Sequence, residues 1–261
     1  SDYESVIVDA DPMPRVNRKA EDLYMLYTGG TTGLPKGVMY SNGEHCAALC
    51  GIGAMLGTPV PQSASDLSNC IAQTKDLGML PRGLVCCPLM HGTGIWVGAM
   101  ITHLAGGAVI TVKNLGLDAD LLWQQVQNEK ATLATIVGDA FARPMLEALD
   151  QSKKDGSLYD LSSLKIILSS GVMWSQEVKE GLLNHHDMML VDAMGSSEGN
   201  MGIAIAARGV PPKTASFQAN EDVKVFDDND QEVAAGSEQI GMVATPSAMR
   251  GYYKDPEKTE K

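Results

Sequence analysis

Residues 23–40 read LYMLYTGGTTGLPKGVMY, a short apolar run that leads directly into a loop of glycine and threonine. Leu23–Tyr27 is rich in strand-forming residues and stops abruptly at Thr28, which predicts a strand that feeds a loop. Val38–Tyr40 predicts a second short strand, and Ser41 with its polar neighbours is typical of a helix start. The region is therefore predicted to fold as strand, loop, short strand and helix.

The loop has the composition of a phosphate-binding site. Glycine lets backbone amides approach an oxyanion closely, threonine hydroxyls add donors or metal ligands, and Lys36 adds a mobile positive charge. It is not a Walker loop, because Lys36 lies between Pro35 and Gly37 and is not followed by the serine or threonine that opens a helix. The plain structural alternative is a surface turn with a solvated lysine.

Further along the chain, short apolar runs alternate with helical segments. The runs that predict buried strands are Gly83–Cys87, Ala108–Val112, Thr135–Val137 and Lys165–Ser169, and the helical segments include Leu121–Glu129 and Pro144–Leu149. This alternation predicts an α/β fold with a mostly parallel sheet flanked by helices. Because ligands of such sheets bind at the carboxyl ends of strands, Thr28, Ser170 and Gly195 are expected to share one crevice.

The character of the chain changes near residue 210. Residues 1–210 are predicted to form an α/β subdomain that binds nucleotide and acyl group. In residues 211–261, Val223–Phe226 and Val233 flank an Asp/Asn turn, and Gly241–Thr245 follows as another strand. This pattern predicts a small antiparallel β portion that starts a barrel-like subdomain. The polar end of the sequence indicates a chain that continues, with a C-terminal catalytic domain absent from these residues.

Composition excludes some partners and settings. The formal net charge of -12 repels a polyphosphate backbone, which argues against nucleic acid as a partner. The five cysteines show no disulfide framework, so a reducing, cytoplasmic setting is expected. His45, Cys46 and Cys50 lack the second ligand pair of a zinc site.

One apolar run has about the length of a membrane span. Gly92–Val112 is interrupted by Gly106, Gly107 and His103, so it predicts a buried helix followed by a buried strand, and no integral membrane span.

The segment YTGGTTGLPKGVM resembles the signature of the adenylate-forming (AMP-binding) superfamily, which includes acyl-CoA synthetases, luciferases and the adenylation domains of peptide synthetases. The glycines, threonines, proline and lysine are all in register. The resemblance implies that a carboxylate attacks the α-phosphorus of ATP to give acyl-AMP and pyrophosphate, and that the acyl group then passes to a thiol. The phosphate-holding residues that it implies are Thr28, Gly29, Gly30, Thr31, Thr32, Gly33 and Lys36.

Three further segments follow in the family's order. PLMHGTG (Pro88–Gly94) is similar to the family's Pro-Leu-Phe-His-x-x-Gly stretch, and SSGVMW (Ser169–Trp174) occupies the place of its Gly-Gly-Ala-Pro-Leu strand end. DAMGSSEG (Asp192–Gly199) resembles the Tyr-Gly-Ser/Thr-Thr/Ser-Glu motif, with Met194 in place of the aromatic that stacks on adenine. Taken alone, the Gly-Ser-Ser-Glu run is also typical of a capped helix start.

The resemblance implies a role for each of these residues. The implied catalytic residues are Lys36, His91 and Glu198, and the implied metal ligands are Thr28 and Glu198. The implied adenosine-binding residues are Ser170, Gly171, Val172, Asp192, Ala193, Met194, Gly195, Ser196 and Ser197. The residues expected to border the acyl group are His91, Gly138, Gly171 and Met194. The implied cofactors are ATP, Mg²⁺ and coenzyme A, with a small-molecule carboxylic acid as partner, and the oligomeric state stays open.

The nearest resemblance is to bacterial fatty-acid and steroid side-chain ligases. A fatty or other apolar acid is therefore the expected substrate. Two alternatives stay open: an amino-acid adenylation domain, for which Asp139 is the nearest acidic candidate, and an inactive module that binds ATP or acyl-AMP. These 261 residues are expected to bind nucleotide without full turnover.

Overall fold

The computed structural model describes residues 3–8, 10–29, 35–54, 57–113, 116–246 and 249–260. The strands are β1 (Leu23–Thr28), β2 (Lys36–Ser41), β3 (Arg82–Val85), β4 (Ala108–Thr111), β5 (Leu133–Ile136), β6 (Ile166–Ser170), β7 (Met189–Ser196), β8 (Gly199–Ala206), β9 (Gln218–Ala219), β10 (Lys224–Phe226), β11 (Met242–Ala244) and β12 (Met249–Tyr252). The helices are α1 (Tyr3–Ile7), α2 (Asn42–Gly53), α3 (Leu67–Asp76), a π-helix (Thr93–Met100) that runs into α4 (Ile101–Leu104), α5 (Ala119–Asn128), α6 (Gly138–Asp155), α7 (Gln176–His185) and α8 (Pro256–Thr259).

A seven-stranded sheet forms the centre of the fold, with the order β4-β3-β5-β6-β7-β8-β9. Its first five strands are parallel, whereas β8 and β9 are antiparallel to their neighbours. The predicted α/β class with a mostly parallel sheet is confirmed. Because β5, β6 and β7 are parallel neighbours, the loops at their carboxyl ends lie side by side, which is where ligands of such sheets bind.

The two faces of this sheet carry different layers. Successive strand residues point to opposite faces, so Ala134 and Ile167 pack with α5, α6 and α7, whereas Leu133 and Leu168 pack on the other side with Val97 of the π-helix. Fully buried strand residues on both faces explain why β5 and β6 read as continuous apolar runs.

The strand that feeds the glycine and threonine loop is not part of the parallel sheet. Instead β1, β2 and β12 form a separate antiparallel sheet with β2 in the middle, and β10 pairs with β11 in a third, two-stranded sheet. The loop is therefore the connection of a β-hairpin, and α2 follows β2 as predicted, with Ser41 as its N-cap.

The last 50 residues pair with earlier parts of the chain. β9 adds to the central sheet beside β8, and β12 pairs with β2. The division at residue 210 stays a prediction, because strands from both sides of it share two of the sheets. Gly92–Val112 forms the predicted helical segment and strand, and among the described residues no helix combines the length and apolar character needed to cross a bilayer.

Candidate active site

The hairpin of β1 and β2 places Lys36 at the mouth of the glycine and threonine loop. Thr28 is the last residue of β1 and lies opposite Lys36, the first residue of β2. Gly29 follows and is exposed, while Gly30, Thr31, Thr32 and Gly33 lie outside the described residues. The ends of the predicted phosphate loop are thus held together by the strand ladder.

Lys36 and Glu198 meet around one aromatic ring. The Lys36 ammonium nitrogen lies 4.9 Å from the centre of the Tyr252 ring, and the Tyr252 hydroxyl donates a 2.7 Å hydrogen bond to Oε1 of Glu198. Tyr252 reaches this position because it lies opposite Val38 in the pairing of β12 with β2. The structure therefore brings the loop lysine and the glutamate of the Gly-Ser-Ser-Glu run to one place.

The surroundings of Glu198 favour its charged form. Burial alone would raise the pKa of Glu198, but the hydrogen bonds from Tyr252 and at Ser196, together with the nearby charge of Lys36, outweigh that effect and lower the pKa. Burial, and then the hydrogen bond to the Glu198 carboxylate, raise the pKa of Tyr252 to about 12. Glu198 is thus ionised at neutral pH.

The carboxylate of Glu198 fits the needs of Mg²⁺. This ion takes hard oxygen ligands and is usually held by one or two carboxylates together with substrate phosphates and water. Glu198 would hold the ion here, with Thr28 as the companion that the family resemblance implies, and the bound ion would neutralise charge on the phosphates.

A second contact joins the hairpin to the same turn. The Tyr40 hydroxyl donates a hydrogen bond to the Ser197 carbonyl. The pKa of Tyr40 is raised mainly by burial and secondly by the negative charge of Glu198. The ring of His45 lies next to that of Tyr40, is 6% exposed, and stacks on Tyr24 with ring centres 4.9 Å apart. Trp96 of the π-helix closes this cluster with a 3.0 Å hydrogen bond from its ring nitrogen to the Tyr24 hydroxyl.

The two segments predicted to bind adenosine are neighbours in the central sheet. Ser170 at the end of β6 pairs with Ala193 of β7. Gly171 and Val172 follow β6 and are exposed, as a ligand-binding edge requires. The Asp192 carboxylate, in contrast, is paired with Lys179 at 2.9 Å, and Asp192 as a whole is only 3% exposed.

Three of the four residues predicted to border the acyl group lie together, and the fourth, Met194, lies on β7 opposite Gly202. A Cβ on Gly138 would come within 2.5 Å of the carbonyl oxygens of Val172 and Met173, and one on Gly171 would lie 3.8 Å from the Thr93 hydroxyl. Thr93 is two residues from His91, whose ring is exposed. Gly138, Gly171 and the His91 segment therefore meet at the carboxyl end of the sheet.

One structural detail differs from the helical interpretation of the Gly-Ser-Ser-Glu run. The run from Gly195 to Glu198 is the end of β7 and a hairpin turn at Ser197–Glu198, not the start of a helix. Gly195 is required there because a Cβ would come within 2.8 Å of the Gly199 carbonyl oxygen.

Sequence reasoning missed Tyr40, Tyr252 and Lys179. Tyr252 lies in the conspicuous segment GYYKDPEKT, but nothing local to that segment indicates that it pairs with β2, more than 200 positions earlier. Lys179 lies on the amphipathic helix α7, where a lysine normally faces solvent. These contacts depend on tertiary pairing.

Comparison with known proteins identifies a family and several similar enzymes. The family model of the AMP-binding enzymes matches residues 2–253. A 3-oxocholest-4-en-26-oate–CoA ligase of Rhodococcus rhodochrous is 35% identical over 99% of this chain and 46% of its own length. A medium/long-chain-fatty-acid–CoA/3-oxocholest-4-en-26-oate–CoA ligase of Mycolicibacterium smegmatis is 34% identical over 93% of this chain and 43% of its own. The chain thus spans about half the length of these relatives.

A solved structure shares the fold. O-succinylbenzoate coenzyme A synthetase of Bacillus subtilis, in complex with AMP, superposes with a TM-score of 0.72 at 16% identity, over all of this chain and 49% of that one. At that identity the likeness shows the fold alone. Together with the match to the family model over almost the whole sequence, these findings show that the chain belongs to the family of AMP-binding enzymes.

Proposed function

We propose that this chain forms the nucleotide- and acyl-binding part of an enzyme that activates a carboxylic acid with ATP and transfers the resulting acyl group to coenzyme A. The observation that carries the proposal is the meeting of Lys36 and Glu198 around Tyr252. Catalysis of nucleophilic attack on a phosphate of ATP depends mainly on positioning the reactants and neutralising the phosphate charge. A lysine, a carboxylate for Mg²⁺ and a glycine-rich loop supply both.

Each part of the site has a proposed role. Lys36 and the loop residues bind the β- and γ-phosphates, and Glu198 with Thr28 holds Mg²⁺. Residues 170–172 and 192–197 line the adenosine, with the side chain of Asp192 directed to Lys179. His91, Gly138, Gly171 and Met194 border the carboxylate end of the acid.

An apolar acid is the proposed substrate class. A pocket of about 490 Å³ opens at the carboxyl ends of β3 and β4, and it is lined mostly by apolar side chains such as Leu89, Leu121 and Phe141. Its size falls within the range of about 300–1,000 Å³ that is usual for ligand pockets. Pro88, which also lines it, begins the segment that carries His91. The relatives named as fatty-acid and steroid-acid CoA ligases support the same class.

An amino acid is the less favoured substrate. Asp139 was the acidic residue considered for an amino group, but its carboxylate accepts a 2.9 Å hydrogen bond from the Ser175 amide and lies 3.3 Å from the Arg143 guanidinium. It is therefore already satisfied by the protein. A cytoplasmic setting is proposed on the five free cysteines.

Calorimetric titration tests the binding part of the proposal. We expect the 261-residue chain to bind ATP in the presence of Mg²⁺ and to form very little thioester on its own. A protein of the relatives' full length that contains this chain should release pyrophosphate with medium- and long-chain fatty acids or steroid acids. No ATP binding by the folded chain, or a preference of the longer protein for amino acids, would refute the proposal.

A further inference from the structure

A buried ion pair lies directly behind the nucleotide edge of the site. Lys179 of α7 and Asp192 of β7 are joined by a 2.9 Å contact between the ammonium nitrogen and Oδ2, and their side chains are only 3% and 5% exposed. By contrast, the pair of Lys130 with Asp160 has side chains that are about half exposed. Two charges withdrawn from water in this way are unusual for a helix that covers a sheet.

The Lys179 ammonium contacts one residue in or beside each adenosine segment. It pairs with Asp192, the first residue of the second segment, and it lies 5.2 Å from the ring centre of Trp174, two residues after Val172 at the end of the first segment. Trp174 is itself fully buried in the core. A single side chain therefore connects the end of the loop after β6 with Asp192, the last buried residue of β7.

Neighbouring polar contacts extend the connection to the loop after β5. Ser169 lies beside Asp192 in the ladder of β6 and β7, and its hydroxyl accepts a 2.9 Å hydrogen bond from the Gly138 amide. Asp139 in turn accepts a hydrogen bond from the Ser175 amide. Hydrogen bonds thus join the loop after β5 to the end of β6 and to the loop after β6, next to the ion pair.

Stability alone does not account for this pair. Taking two charges out of water costs free energy, and replacing a buried ion pair with apolar side chains of similar volume is often neutral or stabilising. An ammonium and a carboxylate, however, fix the distance and direction between two elements, which apolar contacts do not. The pair is therefore better explained by what it holds in place.

We propose that Lys179 is a positioning residue that, through its ion pair with Asp192, sets the spacing between residues 170–172 and 193–197 to accept the nucleotide. The proposal rests on the proposed nucleotide-binding function of these two segments. Lys179 itself does not touch the ligand, since its ammonium is buried and already engaged by Asp192 and Trp174.

The test compares stability with ATP affinity in the 261-residue chain. The first variant, K179M/D192L, replaces both charged groups with apolar side chains of similar shape. We expect its urea midpoint to equal or exceed that of the wild type, whereas its dissociation constant for Mg·ATP, measured by calorimetry, should rise about tenfold. The second variant, K179M/D192N, keeps the shape of the Asp192 side chain and is used if the first variant does not fold. The same loss of affinity for Mg·ATP is expected.

Two controls separate positioning from a general effect of charge. K130M/D160L removes the exposed pair at the opposite, amino-terminal end of the sheet, and it should leave ATP affinity unchanged. K179R keeps the charge with a bulkier head group, so a K179R variant whose urea midpoint matches that of the wild type should retain affinity within about threefold.

The outcomes separate the two proposals. If a folded variant without the ion pair binds ATP within about twofold of the wild type, the pair is only structural and the inference is wrong. If the wild-type chain itself binds no ATP, the proposed function fails, and the inference that depends on it fails too. If the variants lose ATP affinity only in proportion to the fraction of protein that is unfolded in the urea titration, the positioning role is also contradicted.

Discussion

Replacing Tyr252 with phenylalanine removes one oxygen atom from the centre of the site. In the structure that hydroxyl donates a 2.7 Å hydrogen bond to Glu198, while the ring below it carries the Lys36 ammonium at 4.9 Å. Y252F keeps the ring and its contact with Lys36 and loses only the hydrogen bond. The variant therefore isolates how strongly Tyr252 stabilises the charged form of Glu198.

The size of the effect follows from the contact. A hydrogen bond to a charged group contributes about 1.5–3 kcal/mol, and partial exposure of Glu198 to solvent reduces this to about 1 kcal/mol. Because a pKa reports the difference in free energy between the acid and the carboxylate, losing this hydrogen bond should raise the pKa of Glu198 in Y252F. The sign is upward because the lost hydrogen bond favours the carboxylate over the acid.

The assay is a pH titration of the Glu198 side-chain carboxyl by ¹³C NMR, with the resonance assigned by its disappearance in E198Q. Y253F is the matched control, because Tyr253 is the exposed neighbour of Tyr252. An unchanged Glu198 pKa in Y252F, or an equal rise in Y253F, would refute the reasoning. The stability that Glu198 contributes is present above its unfolded pKa and is lost as pH falls through its folded pKa, so Y252F should lose it at a higher pH.

The remaining predictions concern the phosphate lysine, the metal ligand and one glycine. K36A in a full-length enzyme should lower the rate of acyl-AMP formation, measured by pyrophosphate exchange, about 100-fold and should weaken ATP binding less. The rate is more sensitive because the lysine charge matters most as negative charge moves to the leaving pyrophosphate. An unchanged rate would contradict the proposed role of Lys36. E198Q should raise the Mg²⁺ concentration needed for half-maximal ATP binding in a metal titration, and an unaltered requirement would exclude Glu198 as a ligand. G138A should destabilise the chain by about 2 kcal/mol or more in urea unfolding, because its φ is +49° and a Cβ would overlap the Met173 carbonyl oxygen. G156A, with φ of +72° and open space around it, is the control that measures backbone strain alone and should cost less.

Much of the central sheet could be predicted from local patterns. The buried strands of the parallel sheet are continuous apolar runs, and those around residues 83–87, 108–112, 135–137 and 165–169 overlap β3, β4, β5 and β6. The motif at Thr28–Gly37 identified the family because its glycines, threonines and lysine are needed together for one chemical task. These predictions rest on the chemistry of one motif and on the pattern of apolar residues within each segment.

Pairings between distant segments could not be predicted. The sheet of β1, β2 and β12 joins residues more than 200 positions apart, and apolar runs do not show which strand they will meet. The same limit hid the contacts of Tyr252 and Tyr40 with the Ser197–Glu198 turn. The turn itself was open to a helical interpretation because glycine, serine and glutamate suit a helix start as well as a hairpin.

Lys179 shows a different limit. A lysine on an amphipathic helix is expected to face solvent, and only burial against Asp192 and Trp174 reveals otherwise. No residue pattern within α7 marks this position, because the partner lies on a strand that the helix covers.

The central claim is that the loop after β1 and Glu198 hold the triphosphate of Mg·ATP between them. A crystal structure of the chain with Mg²⁺ and a non-hydrolysable ATP analogue tests this most directly. The phosphates should lie between Lys36 and Glu198, with the metal bound to the Glu198 carboxylate and the adenosine along residues 170–172 and 193–197. Nucleotide bound elsewhere on the fold, or a metal without Glu198 among its ligands, would contradict the account.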